Sequence, residues 1–122
     1  ISCLNNYAYY LSELNRDLDK AEQMSYKTVN AEPNNATYLY TYAWILFMKG
    51  QYSQAKSFID QALEAESDST LGAVVIEHAG DIYAMNGDIT KAVEFWEKAL
   101  KLGGEKAILN KKIKQRKYIK KR

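Results

Sequence analysis

Apolar and small residues recur at intervals of three and four along most of this chain, the spacing that lines one face of a helix. Leu4, Tyr7, Ala8 and Leu11 open the series, and Leu18, Ala21, Met24 and Val29 continue it after a break at 15–17. Asp17 stands where a side-chain N-cap would start the second helix. Pro33 stops that helix, since proline supplies no backbone donor. A third helix carries Leu39, Tyr42, Ala43 and Leu46 and closes at Lys49-Gly50, and a fourth carries Ala55, Ile59, Ala62 and Leu63. The polar stretch 66–70 is expected as a loop. Ile76, Ala79, Gly80 and Tyr83 mark a fifth helix and Ala92, Trp96, Ala99 and Leu100 a sixth, with Gly87-Asp88 as a glycine stop and an acidic cap between them. From Glu105 onward Ile108, Leu109, Ile113 and Ile119 fall within an arc of roughly 140°, predicting a seventh, amphipathic helix.

The series repeats itself. Ala21 and Ala55 are 34 residues apart, and Ala55 and Ala92 are 37 apart, the extra three accommodated between 69 and 72. A helix-turn-helix unit of period 34 is the signature of tetratricopeptide repeats. The residues resemble that family, in its bacterial type. First helices read Leu4, Tyr7-Ala8, Leu11, then Leu39, Tyr42-Ala43, Leu46, then Ile76, Ala79-Gly80, Tyr83. Second helices read Ala21, Ser25 and Pro33, then Ala55, Ile59 and Ser67, then Ala92, Trp96 and Gly104. Ser25 stands where the family usually has a large residue.

The resemblance implies an all-α fold, an α-α superhelical solenoid of three helix-turn-helix repeats (about 2–35, 36–69 and 73–104 within 1–104) plus a basic C-terminal capping helix over 105–122. Small residues at Ala8, Ala43 and Gly80, facing Ala21, Ala55 and Ala92, are expected where the two helices of each unit approach closely. The absence of an initiator methionine suggests the C-terminal portion of a longer repeat protein.

Composition adds little except through charge. The chain has 122 residues, 47% hydrophobic and 26% charged, an ordinary folded composition with one proline and six glycines. Its net charge of +2 conceals two halves: the first 104 residues carry eight bases against fourteen acids, and the remainder nine bases against one acid. Cys3 is the only cysteine and makes no internal disulfide, so the compartment stays open.

Arrays resembling this one line a concave groove with their first helices. On the middle unit that places Tyr40, Trp44 and Phe47 on an arc distinct from the core face and expected to be exposed. The equivalent positions are Asn5, Tyr9 and Ser12 before it, and Glu77, Asp81 and Ala84 after it, so the groove would be aromatic at its centre and acidic at one end. A protein or peptide segment with apolar and basic side chains suits such a groove. The lysine, arginine and asparagine set with which one subclass of the family grips chaperone C-termini is missing, apart from Asn5.

No catalytic constellation, cofactor motif or metal cluster is legible. His78 is the only histidine, no glycine-rich phosphate loop occurs, and the serines lack a base. Lys111, Lys112, Lys114, Arg116 and Lys117 open a different possibility, contact with phosphates of nucleic acid or anionic lipid. Only Tyr118 interleaves as an aromatic, so the sequence ranks those surfaces behind a protein partner. The same tail on the acidic groove of a second copy would make a homo-oligomer.

Overall fold

The computed structural model describes residues 2–120, and its regular elements are all helical. In order they are α1 (Ser2–Glu13), α2 (Leu18–Ala31), α3 (Ala36–Met48), α4 (Tyr52–Ala65), α5 (Asp68–Leu71), α6 (Ala73–Met85), α7 (Ile89–Lys101) and α8 (Lys106–Gln115). The chain divides into two compact units, 1–66 holding α1 to α4 and 67–122 holding α5 to α8.

In the first unit, Ala8, Ala21, Ala43 and Ala55 are all without solvent exposure. Lacking side-chain bulk, they let α1 pack on α2 and α3 on α4. Ala8, Leu11, Ala21 and Ile45 form one buried cluster, with Met24 packed against it. The α1–α2 turn departs from expectation. Asp17 has the backbone angle φ 48° and makes no side-chain cap bond. The turn closes instead through backbone, Arg16 N–H donating to the Leu11 carbonyl at 3.1 Å, which left-handed residues at Asn15 and Asp17 permit. Tyr7, read as a core position, is 46% exposed. Its ring lies at the edge of the α1–α2 contact, with Lys20 Nζ of α2 6.0 Å from its centre. At the other end Asn35 caps α3, its side-chain oxygen accepting from Tyr38 N–H at 3.1 Å.

In the second unit, the expected polar loop contains a single helical turn. Ser67 Oγ accepts from Thr70 N–H and starts α5, and Gly72 at φ 95° ends it. Eight helices therefore stand among the described residues where seven were expected. The α6–α7 turn forms as anticipated: Gly87 takes φ 89°, and Asp88 Oδ1 accepts from Lys91 N–H at 3.2 Å.

Gly80 is required by a close approach. A Cβ there would stand 2.5 Å from Trp96 Nε1 and 3.1 Å from the Ala92 carbonyl oxygen. After Gly103 and Gly104, α8 packs on α7. It ends at Gln115 because Arg116 adopts φ 54°, well before the end of the helix expected over 105–122. Lys121 and Arg122 of the basic tail lie outside the described residues.

Candidate functional site

The aromatic positions expected to be exposed on the first unit are covered. Tyr40, Trp44 and Phe47 are only 6%, 5% and 4% exposed. The cause is the placement of α3, which packs against α1, α2 and α4, so that only Thr37 and Met48 of its residues escape full burial. Tyr40 meets Tyr9 of α1, with ring centres 5.8 Å apart and its hydroxyl donating to the Tyr9 hydroxyl at 3.1 Å. Trp44 stacks on Phe47 with centres 4.5 Å apart and planes 12° from parallel, and Phe47 in turn packs on Tyr52 of α4. These rings are thus part of the core around α3, not an open apolar patch.

What reaches the surface of this face comes from α1. Tyr9 is half-buried, and burial pushes its phenol above its ordinary value, the neighbouring Glu13 carboxylate adding to the effect. Asn5, one turn earlier, is buried, and its Oδ1 has no hydrogen-bond partner. Ser12 is buried with its hydroxyl turned back to the Tyr9 carbonyl. The structure therefore joins Tyr9 and Tyr40 and leaves a buried acceptor one turn along α1.

A cleft of about 470 Å³ opens elsewhere on the first unit, lined by Asp19, Glu22, Gln23, Tyr26 and Tyr42. Its carboxylates are already matched. Lys49 from the end of α3 lies 2.7 Å from Asp19 Oδ1 and also contacts Glu22, and hydrogen bonding to the two acids raises its ammonium above the ordinary lysine range.

The acidic end of the expected groove is corrected as well. Glu77 and Asp81 are not free carboxylates on a solvated face, being 7% and 1% exposed. Lys112 of α8, expected among the surface cations of the tail, is 2% exposed and binds both. Its Nζ stands 2.7 Å from Glu77 Oε2 and 2.8 Å from Asp81 Oδ1, while Trp96 Nε1 donates to Asp81 Oδ1 at 3.1 Å. The ammonium also lies 5.9 Å from the centre of the Trp96 ring and 5.4 Å from that of Tyr118. Burial raises the Asp81 carboxyl from 3.8 to about 7 although Lys112 pulls it down.

A signal for Lys112 existed. Within α8 it is the one cation inside the arc of Ile108, Leu109 and Ile113, and a basic residue on an apolar stripe needs a buried partner. Lys111, Lys114, Arg116 and Lys117 are exposed, as the tail reading expects of them. Among the described residues no group of three or more His, Cys, Asp and Glu side chains is placed to hold a metal ion.

A family model described as tetratricopeptide repeat matches residues 14–74. Comparison with curated proteins gives no match. Among solved structures, an O-GlcNAc transferase of Thermobaculum terrenum superposes with a TM-score of 0.80 at 15% identity, over 94% of this chain and 21% of that one. The TPR2AB-domain:pHSP90 complex of yeast Sti1 gives 0.70 at 20% identity, over 94% and 45%. The N-terminal domain of stress-induced protein-1 (STI-1) from C. elegans gives 0.64 at 22% identity, over 93% and 96%. The chain thus spans about a fifth of the transferase and less than half of the Sti1 chain.

Proposed function

The chain belongs to the tetratricopeptide repeat family, and we propose that it is a non-catalytic scaffold holding a segment of another protein against the faces of its first helices. The family and the all-α fold support a protein-interaction role in general terms. In this reading three repeats, about 2–35, 36–69 and 73–104, carry the faces, and the helix after 105 caps the last of them. The yeast Sti1 structure is a complex with pHSP90, which favours a protein partner here also.

The observation that carries the reading lies on α1. A buried acceptor without a partner, Asn5 Oδ1, is costly to leave unmatched, by about 1–3 kcal/mol. It sits one turn from the half-open Tyr9–Tyr40 hydroxyl pair, on the helix face where a partner is expected. That atom is closed to solvent, so a partner donor reaches it only when the α1 turn around it opens, whereas half-exposed Tyr9 offers ring area and a hydroxyl directly.

The test is selection of a displayed peptide library on the full chain. Enriched peptides should lose at least tenfold in affinity on Tyr9→Ser, while Tyr26→Ser, at an exposed position on α2, changes nothing. Peptides indifferent to Tyr9 would overturn the placement.

A second reading rests on the exposed Lys111, Lys114, Arg116 and Lys117, which suit an anionic surface, lipid or nucleic acid. Binding to phosphatidylserine vesicles or single-stranded DNA should then fall steeply with salt, and no binding at low salt removes it. Self-association, the remaining alternative, is read by sedimentation of the full chain.

A further inference from the structure

Among the described residues the only buried charged side chains are Glu77, Asp81 and Lys112. Packing alone does not call for them. A buried ion cluster is commonly no more stable than apolar side chains of equal volume, so apolar residues at all three positions together would hold α8 at least as well, whereas changing Lys112 alone leaves two acids unmatched. What the cluster does provide is selectivity. Two carboxylates of α6 and the indole of Trp96 form a seat that only a cation satisfies.

The occupant is held through few side chains. Apart from Lys112, α8 buries only Leu109 fully. Gly103 turns the chain at φ 93°, Gly104 packs against Leu109 with its N–H donating to the Ala99 carbonyl at 2.8 Å, and the other end of the helix breaks at Arg116. The Leu109 and Lys112 side chains, one turn apart, are therefore the two anchors by which α8 fills its place.

We infer that the Glu77–Asp81–Trp96 seat is a recognition site for a cationic side chain of a partner helix, and that α8 is its resident substitute, displaced when the partner arrives. The partner segment is helical, with a leucine and, one turn later, a lysine or arginine. An arginine suits the seat especially well, since its five donors can engage both carboxylates where an ammonium has three. This rests on the scaffold reading for the existence of a partner, and it restores to Glu77 and Asp81 the partner-facing role that Lys112 now fills.

The probe is a fluorescent synthetic peptide of residues 105–120, titrated by anisotropy into the full chain and into its Lys112→Met variant. The peptide should bind the variant at least tenfold more tightly than the parent, because the resident helix no longer competes for the seat. A peptide carrying Lys112→Met should bind neither, and a Glu77→Gln/Asp81→Asn chain should lose binding of the unmodified peptide. Equal binding of both peptides, or binding of neither to any chain, overturns the inference.

Should the Lys112→Met chain fail to fold, amide exchange of the parent decides. The α8 amides should exchange at least tenfold faster than those of α6 and α7, and faster still with excess peptide. Equal protection in the three helices, or no response to the peptide, overturns displacement. A parent dimer that the peptide dissolves would make the seat's occupant the α8 of a second copy, and so overturn a distinct partner. The Tyr9 test concerns α1 and does not involve α8, so a failure here is distinguishable from a failure of the scaffold reading.

Discussion

Replacing Asp81 by asparagine should make the protein relatively more stable as pH rises, the reverse of what removal of an ion-paired carboxylate ordinarily does. Burial lifts the carboxyl from 3.8 to about 7 in the folded chain. Between those values the folded protein keeps a proton that the unfolded chain has released. The stability this group contributes is therefore fully present below about pH 4 and is lost as pH rises through about 7. Roughly three pH units at about 1.4 kcal/mol each amount to an upper figure of about 4 kcal/mol. Asparagine has no such proton to lose. Its Oδ1 can still accept from Trp96 and from Lys112, the two donors that stand 3.1 Å and 2.8 Å from Asp81 Oδ1.

Urea unfolding of both proteins across that pH range, followed by far-ultraviolet circular dichroism, measures the difference directly. Titrations shared by the two proteins cancel in it. The difference should shift in favour of Asp81→Asn by as much as about 4 kcal/mol between pH 4 and pH 8. A difference that stays constant over the range, or moves the other way, refutes the account of a carboxylate held above its ordinary value by burial.

Gly80→Ala gains about 1 kcal/mol of helix propensity, yet its Cβ would lie 2.5 Å from Trp96 Nε1 in a ring with no exposure, so overpacking of about 1–3 kcal/mol should exceed that gain. A lower midpoint in thermal unfolding, relieved when Trp96→Phe is combined with it, is the expected result. Ala55→Leu should likewise cost about 1–3 kcal/mol, because the site has no exposed surface into which the added carbons can turn. Lys49→Met should cost less than about 1 kcal/mol and should matter less at high salt, since its partner Asp19 is largely solvated. A larger or salt-independent loss in denaturant titrations would contradict that ranking.

Much of the helical framework was legible because close helix packing demands small residues at fixed intervals. Ala8, Ala21, Ala43, Ala55, Gly80 and Ala92 announce their contacts by size alone, and the structure buries every one of them. Pro33, Gly87 and Asp88 mark ends through backbone chemistry that needs no neighbour. The Asp17 turn was misread since an acid that caps and an acid that takes a left-handed backbone look alike in one dimension. Tyr40, Trp44 and Phe47 illustrate a deeper limit. An apolar stripe at helical spacing has the same pattern whether a partner, solvent or another helix of the same chain lies against it. Only the position of α3 among α1, α2 and α4 selects the last.

Charge shows the same division. The sequence alone establishes a basic tail and an acidic body, sums that do not depend on where any side chain points. Which lysine of that tail turns inward depends on carboxylates 35 and 31 residues earlier, at Glu77 and Asp81. Local spacing and residue size thus determine the helices and their pairing within hairpins. Burial and ion pairing between distant segments are set only when the helices meet, because desolvation depends on everything surrounding a group and not on its neighbours in the chain.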